Sequence, residues 1–457
     1  MSDDPEQRPT LVGVASGQPD GGVAVVRVSG PRARAIVGGV VQTLPEDRRL
    51  VRRRIDLGDG EAEDGLVVLM PGPRSFTGED VVELHVHAGA RNVDAVVRTL
   101  LSRGGTAAGP GDFSRRAFEL GRLSLDQAEG IAAVIGAQTD AALGQARRLA
   151  AGELGRQVQS ERRALLELRA EIEANLDFPE DVDPADVARW RQEVTQRHAA
   201  VERWLARFEA GRRARARARV VLAGPPNAGK SSLFNALLGR DRALVADQPG
   251  TTRDYVEAEL ELGRYGSTLV DTAGLREGAE AVERAGVALS RAQVEGADVV
   301  LWVEAADSAG VGTEIETGTK AETNDVVREL ARAATVIRVE SKRDRGIRRP
   351  AWIGVSLEPG AAPRGLDAVR EAMLQWFAAG QDTAWIGLAR HHDRAREAMA
   401  AIDEARGHLR NDEYLELAAF ALGVAQARLG EITGRSALGP VGQDVLAAIF
   451  ARFCIGK

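Results

Sequence analysis

Val220-Val-Leu-Ala-Gly224-Pro-Pro-Asn227-Ala228-Gly229-Lys230-Ser231-Ser232 is the stretch whose reading decides the fold of this chain. Residues 220–223 are apolar and mostly β-branched or small, the signature of a buried strand, and residues 232–238 carry apolar side chains at helical spacing. The loop between them opens on Gly224 and closes on Gly229-Lys230-Ser231, the spacing of a P-loop in its required context of strand and helix. The glycines let backbone N–H groups turn inward around phosphate oxygens. Lys230 then reaches the β- and γ-phosphates, and the Ser231 hydroxyl ligates magnesium. The expected domain is a mostly parallel sheet with flanking helices.

Working outward from that loop, Leu269-Val-Asp271-Thr272-Ala273-Gly274 ends a strand in a carboxylate followed by glycine. Asp271 can hold magnesium through water, and the Gly274 amide can sense the γ-phosphate. Gly250-Thr251-Thr252-Arg253-Asp254 reads as a switch segment whose Thr252 hydroxyl closes on the metal. Ser341-Lys342-Arg343-Asp344 follows an expected strand over 335–339. A carboxylate accepts from guanine N1–H and the 2-amino group together, and adenine offers neither, so Asp344 selects GTP. Lys342 is expected over the ring. GTPases usually have asparagine where Ser341 stands and a Ser-Ala loop where Ser356-Leu357 stands, so a weaker grip on the base is expected.

The chain has 457 residues, of which 44% are hydrophobic, enough for packed cores in two or three domains. No apolar run approaches the roughly 20 residues that cross a bilayer, and residues 1–10 are polar and acidic. A soluble cytoplasmic protein with no membrane partner is expected. The single cysteine, Cys454, suits a reducing compartment. A net charge of -7 excludes a uniformly basic coat but leaves room for local nucleic-acid patches. Lysine and arginine total 60, yet the only lysines are Lys230, Lys320, Lys342 and Lys457. Three of these stand in motifs, where a compact ammonium and a planar guanidinium are not interchangeable.

Up to about residue 120, strand-like runs (23–28, 65–69, 81–86) alternate with helix-like ones such as 93–103, which describes a small α/β domain. Residues 124–210 are rich in helix formers and are broken mainly at Asp177-Phe178-Pro179 and Asp183-Pro184. Helical character returns after about residue 388. The expected organisation is an N-terminal α/β domain over 1–120, a helical domain over 121–215 and 381–457, and an inserted P-loop domain over 216–380. Gly211-Arg-Arg-Ala-Arg-Ala-Arg-Ala-Arg219 is a phosphate-binding strip or, more simply, a solvated junction. Residues 305–324 are polar and turn-rich and are expected to form a surface loop.

The two ends of the chain narrow the choice. Arg27-Val-Ser-Gly30, Ser75-Phe-Thr-Gly-Glu-Asp-Val-Val-Glu83-Leu84, Gly111-Asp-Phe-Ser-Arg-Arg-Ala-Phe118, Leu123-Ser-Leu-Asp-Gln-Ala-Glu129 and the terminal Phe453-Cys454-Ile-Gly-Lys457 resemble, in order and over nearly the whole length, the signatures of the MnmE (TrmE) family of tRNA-modifying GTPases, in the TrmE-Era-EngA-like group. The resemblance implies a folate-binding α/β domain that also dimerises, a discontinuous helical domain and a Ras-like G domain. It implies GTP contacts through Asn227, Ala228, Gly229, Lys230, Ser231 and Ser232, through Ala246, Asp247, Gln248, Pro249, Gly250, Thr251 and Thr252, and through Asp271, Thr272, Ala273 and Gly274. Ser341, Lys342, Asp344, Ser356 and Leu357 complete them around the base. Magnesium would sit on Ser231 and Thr252. Potassium would sit on Asn227, Ala246, Gln248 and Thr251, where other GTPases receive an arginine finger, and would help two G domains pair. Glu283 would orient the attacking water, alongside Lys230, Thr252 and Gly274.

Pleating of residues 81–87 puts Val82, Leu84 and Val86 on one face and Glu83, His85 and His87 on the other. Strand positions two apart rarely converge on one ion, so Glu83 is better read as an acceptor for a pterin 2-amino group and ring N–H, with a plain solvated face as the other reading. By resemblance the contacts to a tetrahydrofolate derivative (5-formyl or 5,10-methylene) are Arg27, Glu83, Arg122 and Lys457. The family has lysine at Arg122, and a Pro-Gly-Arg-Gly loop where this chain has Ala15-Ser-Gly-Gln-Pro-Asp-Gly-Gly22. Nothing in the sequence supplies a base beside Cys454, so a packed, reduced thiol is expected there. The implied activity is addition of a carboxymethylaminomethyl or aminomethyl group to C5 of the wobble uridine of certain tRNAs. The implied assembly is a homodimer with the FAD-binding partner MnmG (GidA), since this chain has no flavin fingerprint. The rival readings are a non-catalytic ribosome-assembly GTPase and a folate-dependent transferase with a degenerate GTPase.

Overall fold

A computed structural model describes residues 8–16, 21–58, 60–215, 217–225, 227–239, 256–271, 296–306, 334–344, 349–358, 360–378, 387–410, 414–435, 442–454 and 456. The chain forms two compact units, one of Met1–Gly136, Ala146–Leu205 and Arg390–Lys457, the other of Ala137–Gln145 and Ala206–Ala389.

In the first unit a six-stranded sheet comprises β1 (Leu11–Val14), β2 (Val23–Ser29), β3 (Val51–Gly58), β4 (Glu61–Met70), β5 (Val81–His87) and β6 (Thr106–Ala107), in the order β3-β4-β5-β2-β1-β6. Its pairs are antiparallel except β1 with β6. Ala24, Val26, Val28, Val82, Leu84 and Val86 alternate onto one face and are buried together with Ile36 and Val37 of α1 (Ala33–Gly38) and Val96 and Leu100 of α2 (Ala90–Ser102). The opposite phase of the same strands carries Arg27, Glu83, His85 and His87. Strands β1, β3 and β6 add to the three expected from the sequence.

Side-chain caps mark three of the helix starts between residues 124 and 190. α3 (Asp112–Glu119) precedes α4 (Leu125–Gly136), before which Gln127 Oε1 accepts from the Ser124 N–H at 3.1 Å, the backward half of a capping box. α6 (Glu153–Asp177) stops where Pro179 forces Phe178 out of the helical region, to φ -136. α7 (Val187–Ala206) restarts where Asp186 Oδ1 accepts from Arg189 N at 2.9 Å. Those breaks were expected; two more were not. α5 (Asp140–Ala150) is set off by Thr139, whose Oγ1 accepts from Ala142 N at 3.1 Å, and by Gly152 at φ 72. Leu154, Val158, Leu165, Leu168 and Ile172 form the buried stripe of α6. Two later helices, Ala389–His408 and Leu415–Ile432, complete the helical part, and Arg162 of α6 donates to Gln426 O at 3.2 Å.

A buried ionic cluster joins these helices. Glu129 of α4 accepts from Arg390 Nε at 2.9 Å and Nη2 at 2.6 Å, and its Oε2 lies 2.7 Å from His391 Nε2. Arg390 also donates to the carbonyls of Glu431 and Ile432 at 2.7 and 2.9 Å, satisfying the open end of a helix. Burial pushes the Glu129 carboxyl up, but His391 and Arg390 outweigh it and hold the pKa at about 2.

The second unit has a sheet in the order β12-β11-β10-β7-β9-β8, built from β7 (Ala218–Ala223), β8 (Val256–Leu262), β9 (Tyr265–Asp271), β10 (Val299–Ala305), β11 (Thr335–Ser341) and β12 (Ile353–Gly354). All pairs are parallel except β8 with β9. Its interior strands are buried on both faces, as crossover helices require. One face packs on α9 (Lys230–Leu238) and α10 (Leu366–Ala378), whose Phe377 stacks on Tyr265 at 5.0 Å, and α8 (Phe208–Arg215) packs against α10.

The arginine run over 211–219 follows the boundary between the two units at Leu205, and its described side chains meet partners of the second unit. Arg212 faces Asp298 at 3.6 Å, Arg213 lies over the Trp376 ring at 4.6 Å, Arg217 pairs with Glu259 and Glu261, and Arg219 pairs with Glu257. β7 begins inside the run, so the pleat buries Ala218 while Arg217 and Arg219 turn to acidic neighbours. Of the expected loop over 305–324, Ala305 is the last strand residue of β10 and 307–324 lie outside the described residues. Among the described residues, no helix is long and apolar enough to cross a membrane.

Candidate functional site

At the end of β7 the phosphate loop forms around backbone conformations that its residues permit. Gly224 has φ 141, and a Cβ there would meet the Val303 carbonyl oxygen at 2.1 Å, so only glycine fits. Gly229 at φ 85 caps α9, and Asn227 adopts φ 58, a left-handed conformation that asparagine tolerates. Lys230 opens the helix and folds its Nζ back onto the carbonyls of Gly224 and Pro225 at 2.9 and 2.7 Å. Burial pulls its pKa below the ordinary lysine value, while the charge of Asp271 acts the other way. Asp271 ends β9 beside β7, opposite Leu222, and is 4% exposed. Ser231 and Ser232 are exposed in the first turn of α9, where N–H groups and the helix dipole favour an anion. An anionic polyphosphate therefore fits this set: free amides, one desolvated ammonium, a hydroxyl and a carboxylate across the strand.

The residues expected from the sequence to read the base assemble around the end of β11. β11 continues through Ser341, two residues beyond its expected limit, so this side chain is aimed by the strand. Ser341 Oγ donates to the Ala228 carbonyl at 2.5 Å, which joins this loop to the phosphate loop. Asp344 Oδ1 accepts from Ser356 Oγ at 2.9 Å, and Arg343 N donates to Val355 O at 3.2 Å. Leu357 packs against the core of the unit, and Lys342 sits at φ 52. Ala246, Asp247, Gln248, Pro249, Gly250, Thr251, Thr252, Thr272, Ala273, Gly274 and Glu283 lie outside the described residues.

In the first unit, Arg27 and Glu83 are register partners on β2 and β5. Arg27 Nε and Nη2 approach Glu83 Oε1 at 2.9 and 2.8 Å, with side chains only 13% and 16% exposed. The guanidinium lies between the Phe76 and Phe113 rings, 5.2 and 5.4 Å from their centroids, and its Nη1 reaches Gly456 O at 3.4 Å. His85 Nε2 is 3.7 Å from Glu83 Oε2, but His87 turns to Glu63 at 2.6 Å, so the expected polar face divides between two carboxylates. Arg122 Nη2 donates to Ser75 O at 3.3 Å, and its stem covers Gly78. Gly456 has φ 93 and abuts Val14 so closely that a Cβ would lie 1.9 Å from its oxygen, while Lys457 lies outside the described residues, as do residues 17–20. Strand pairing and the terminal segment thus bring Arg27, Glu83 and Gly456 together.

Cys454 is exposed, which corrects the expected packed thiol. Phe453 occupies the apolar site instead, with Leu125, Ala128, Leu446 and Phe450, since the larger ring gains more from burial. The residues that sequence reasoning did not single out are Phe76, Phe113, Arg390 and His391. The two phenylalanines stand inside the recognised motifs; the other two carry no local signal.

Two family models match the chain, "GTP-binding protein TrmE N-terminus" over residues 10–122 and "MnmE helical domain" over residues 125–454. Curated relatives named tRNA modification GTPase MnmE include one from Phenylobacterium zucineum, 40% identical over 95% of this chain and 96% of its own. Another, from Halorhodospira halophila, is 41% identical over 98% of this chain and 96% of its own, and a third, from Parvibaculum lavamentivorans, is 37% identical over 98% and 100%. The P-loop, the loop of residues 341–344 tied to it and the paired Arg27 and Glu83 are thus found in a chain that belongs to the MnmE family.

Proposed function

We propose that this chain is a GTPase that acts in tRNA modification. The observation that supports its GTPase part is the bond from Ser341 to Ala228, which ties the strand end that leads to Asp344 to a formed P-loop. In this reading Gly229, Lys230 and the first turn of α9 hold the β- and γ-phosphates, and Asp344, steadied by Ser356, accepts from the guanine edge. Thr252 and Gly274 close on the γ-phosphate, and Glu283 orients the attacking water. Magnesium on Ser231 and Thr252, with potassium on Asn227, Ala246, Gln248 and Thr251, supplies positive charge to offset the charge that develops in the transition state.

The finer reading is a cytoplasmic homodimer that works with the flavoprotein MnmG and uses a methylene-tetrahydrofolate carbon to add a carboxymethylaminomethyl or aminomethyl group to C5 of the wobble uridine. Arg27, Glu83, Arg122 and Lys457 would hold the pterin and its carboxylates. The fit rests on Glu83: both Arg27 bonds fall on Oε1, which leaves Oε2 turned toward His85 at the longer 3.7 Å. GTP turnover by the purified chain, together with mass analysis of wobble uridines in cells with and without it, tests the whole reading. Unchanged nucleosides would overturn the modification role, and absence of turnover would overturn the enzyme.

A further inference from the structure

Glu304 and Glu340 are register partners on the parallel strands β10 and β11, so their side chains leave the same face of the sheet. They are 14% and 2% exposed, and two carboxylates so placed repel in a poorly hydrated setting. Arg349 answers both: its Nη1 donates to Glu304 Oε2 and its Nε lies 3.7 Å from Glu340 Oε1. Its guanidinium lies over the Trp352 ring at 4.8 Å, and Trp302 Nε1 donates to the other Glu304 oxygen at 2.8 Å. Arg338 lies 5.9 Å from the same ring centroid.

This cluster borders the base-reading loop in sequence and in hydrogen bonding. Glu340 immediately precedes Ser341, and its carbonyl accepts from Val355 N at 2.7 Å. Arg349 opens the segment 349–356, which returns the Val355 carbonyl to Arg343 and the Ser356 hydroxyl to Asp344. One end of that segment is therefore fixed by Arg349 and the other by the paired Ser356 and Arg364.

We propose that Arg349 is a positioning residue for guanine recognition, bridging Glu304 and Glu340 so that segment 349–356 holds Ser356 where it aims the Asp344 carboxylate. The inference rests on the GTPase reading above. Arg349 touches no nucleotide; it acts through Ser356.

The test is calorimetric titration of the full chain with GDP and with IDP, which lacks the 2-amino group. A well-aimed Asp344 separates the two by about tenfold. Arg349→Met is expected to weaken GDP, which loses both contacts to Asp344, about tenfold more than IDP, which has only N1–H to lose, so that the IDP-to-GDP ratio of Kd values falls toward one. Arg349→Lys, which keeps a charge but loses the planar fork, is expected to fall between. A ratio equal to the parent's in Arg349→Met overturns the inference, even if both nucleotides bind more weakly, because a general loss of structure weakens both alike. If circular dichroism shows Arg349→Met unfolded, Arg349→Lys decides by the same criterion. A parent chain that binds neither nucleotide overturns the GTPase reading and this inference with it; an unchanged ratio overturns this inference alone.

Discussion

Ser341 Oγ lies 2.5 Å from the Ala228 carbonyl oxygen, so the loop of residues 341–344 and the P-loop are held by one hydroxyl. Asparagine, the usual residue there, has both an oxygen and an amino group. Serine has one oxygen, and here it is spent on the phosphate loop. Ser341→Ala should raise the Kd for GDP about fivefold, the worth of one net hydrogen bond of about 1 kcal/mol. Ser341→Asn should bind GDP at least as tightly as the parent. Fluorescent GDP titrations check both, and an unaffected alanine variant would count against the tie.

The Glu129 cluster predicts an acid-sensitive fold. The folded pKa is about 2 against the ordinary 4.5, so the contribution is complete above pH 4.5 and is lost as pH falls through 2. The shift corresponds to about 3 kcal/mol. Glu129→Gln should therefore lower the urea midpoint clearly at pH 7, with the difference from the parent shrinking steadily below pH 4.5. A difference that stays constant between pH 7 and pH 3 would remove the ionic explanation.

For the pterin reading, Glu83→Gln replaces an acceptor pair with one acceptor and one donor, and it leaves Arg27 without its counter-charge. Binding of 5-formyl-tetrahydrofolate should weaken at least tenfold, the cost of a lost charged hydrogen bond, while GTP turnover stays near the parent's. Equilibrium dialysis with the folate decides it, and full retention of binding would reject Glu83 as a contact.

The potassium reading places an ion on Asn227, whose left-handed backbone at φ 58 sits within the phosphate loop. GTP turnover in potassium should exceed turnover in sodium by at least tenfold, in keeping with the electrostatic groups that other GTPases use. Asn227→Ala should abolish that difference. Equal rates in the two salts for the parent would exclude the ion.

Local chemistry explains what was legible in advance. The P-loop spacing fixed a strand-loop-helix unit because Gly224 and Gly229 supply backbone angles that other residues resist. The alternation over β5 likewise placed Glu83 and Leu84 on opposite faces. The break after Asp177 followed from Pro179 and the next from Asp183-Pro184, whereas the cap that restarts the helix, Asp186, came only from the structure. The break at Thr139 was missed because a single capping hydroxyl within a helix-rich stretch differs little from a surface threonine.

By itself the sequence determined the class of fold and where the strand-loop-helix unit of residues 218–238 and the loop of residues 341–344 stand, since both follow from spacings of a few residues at the ends of two strands. Only the tertiary structure decided what those residues lean on. Arg390 reaches Glu129 across 261 positions of chain, and Gly456 reaches Arg27 across 429. Such pairs leave no periodicity to read, because their partners are chosen by packing of whole helices and strands and not by neighbours in the chain.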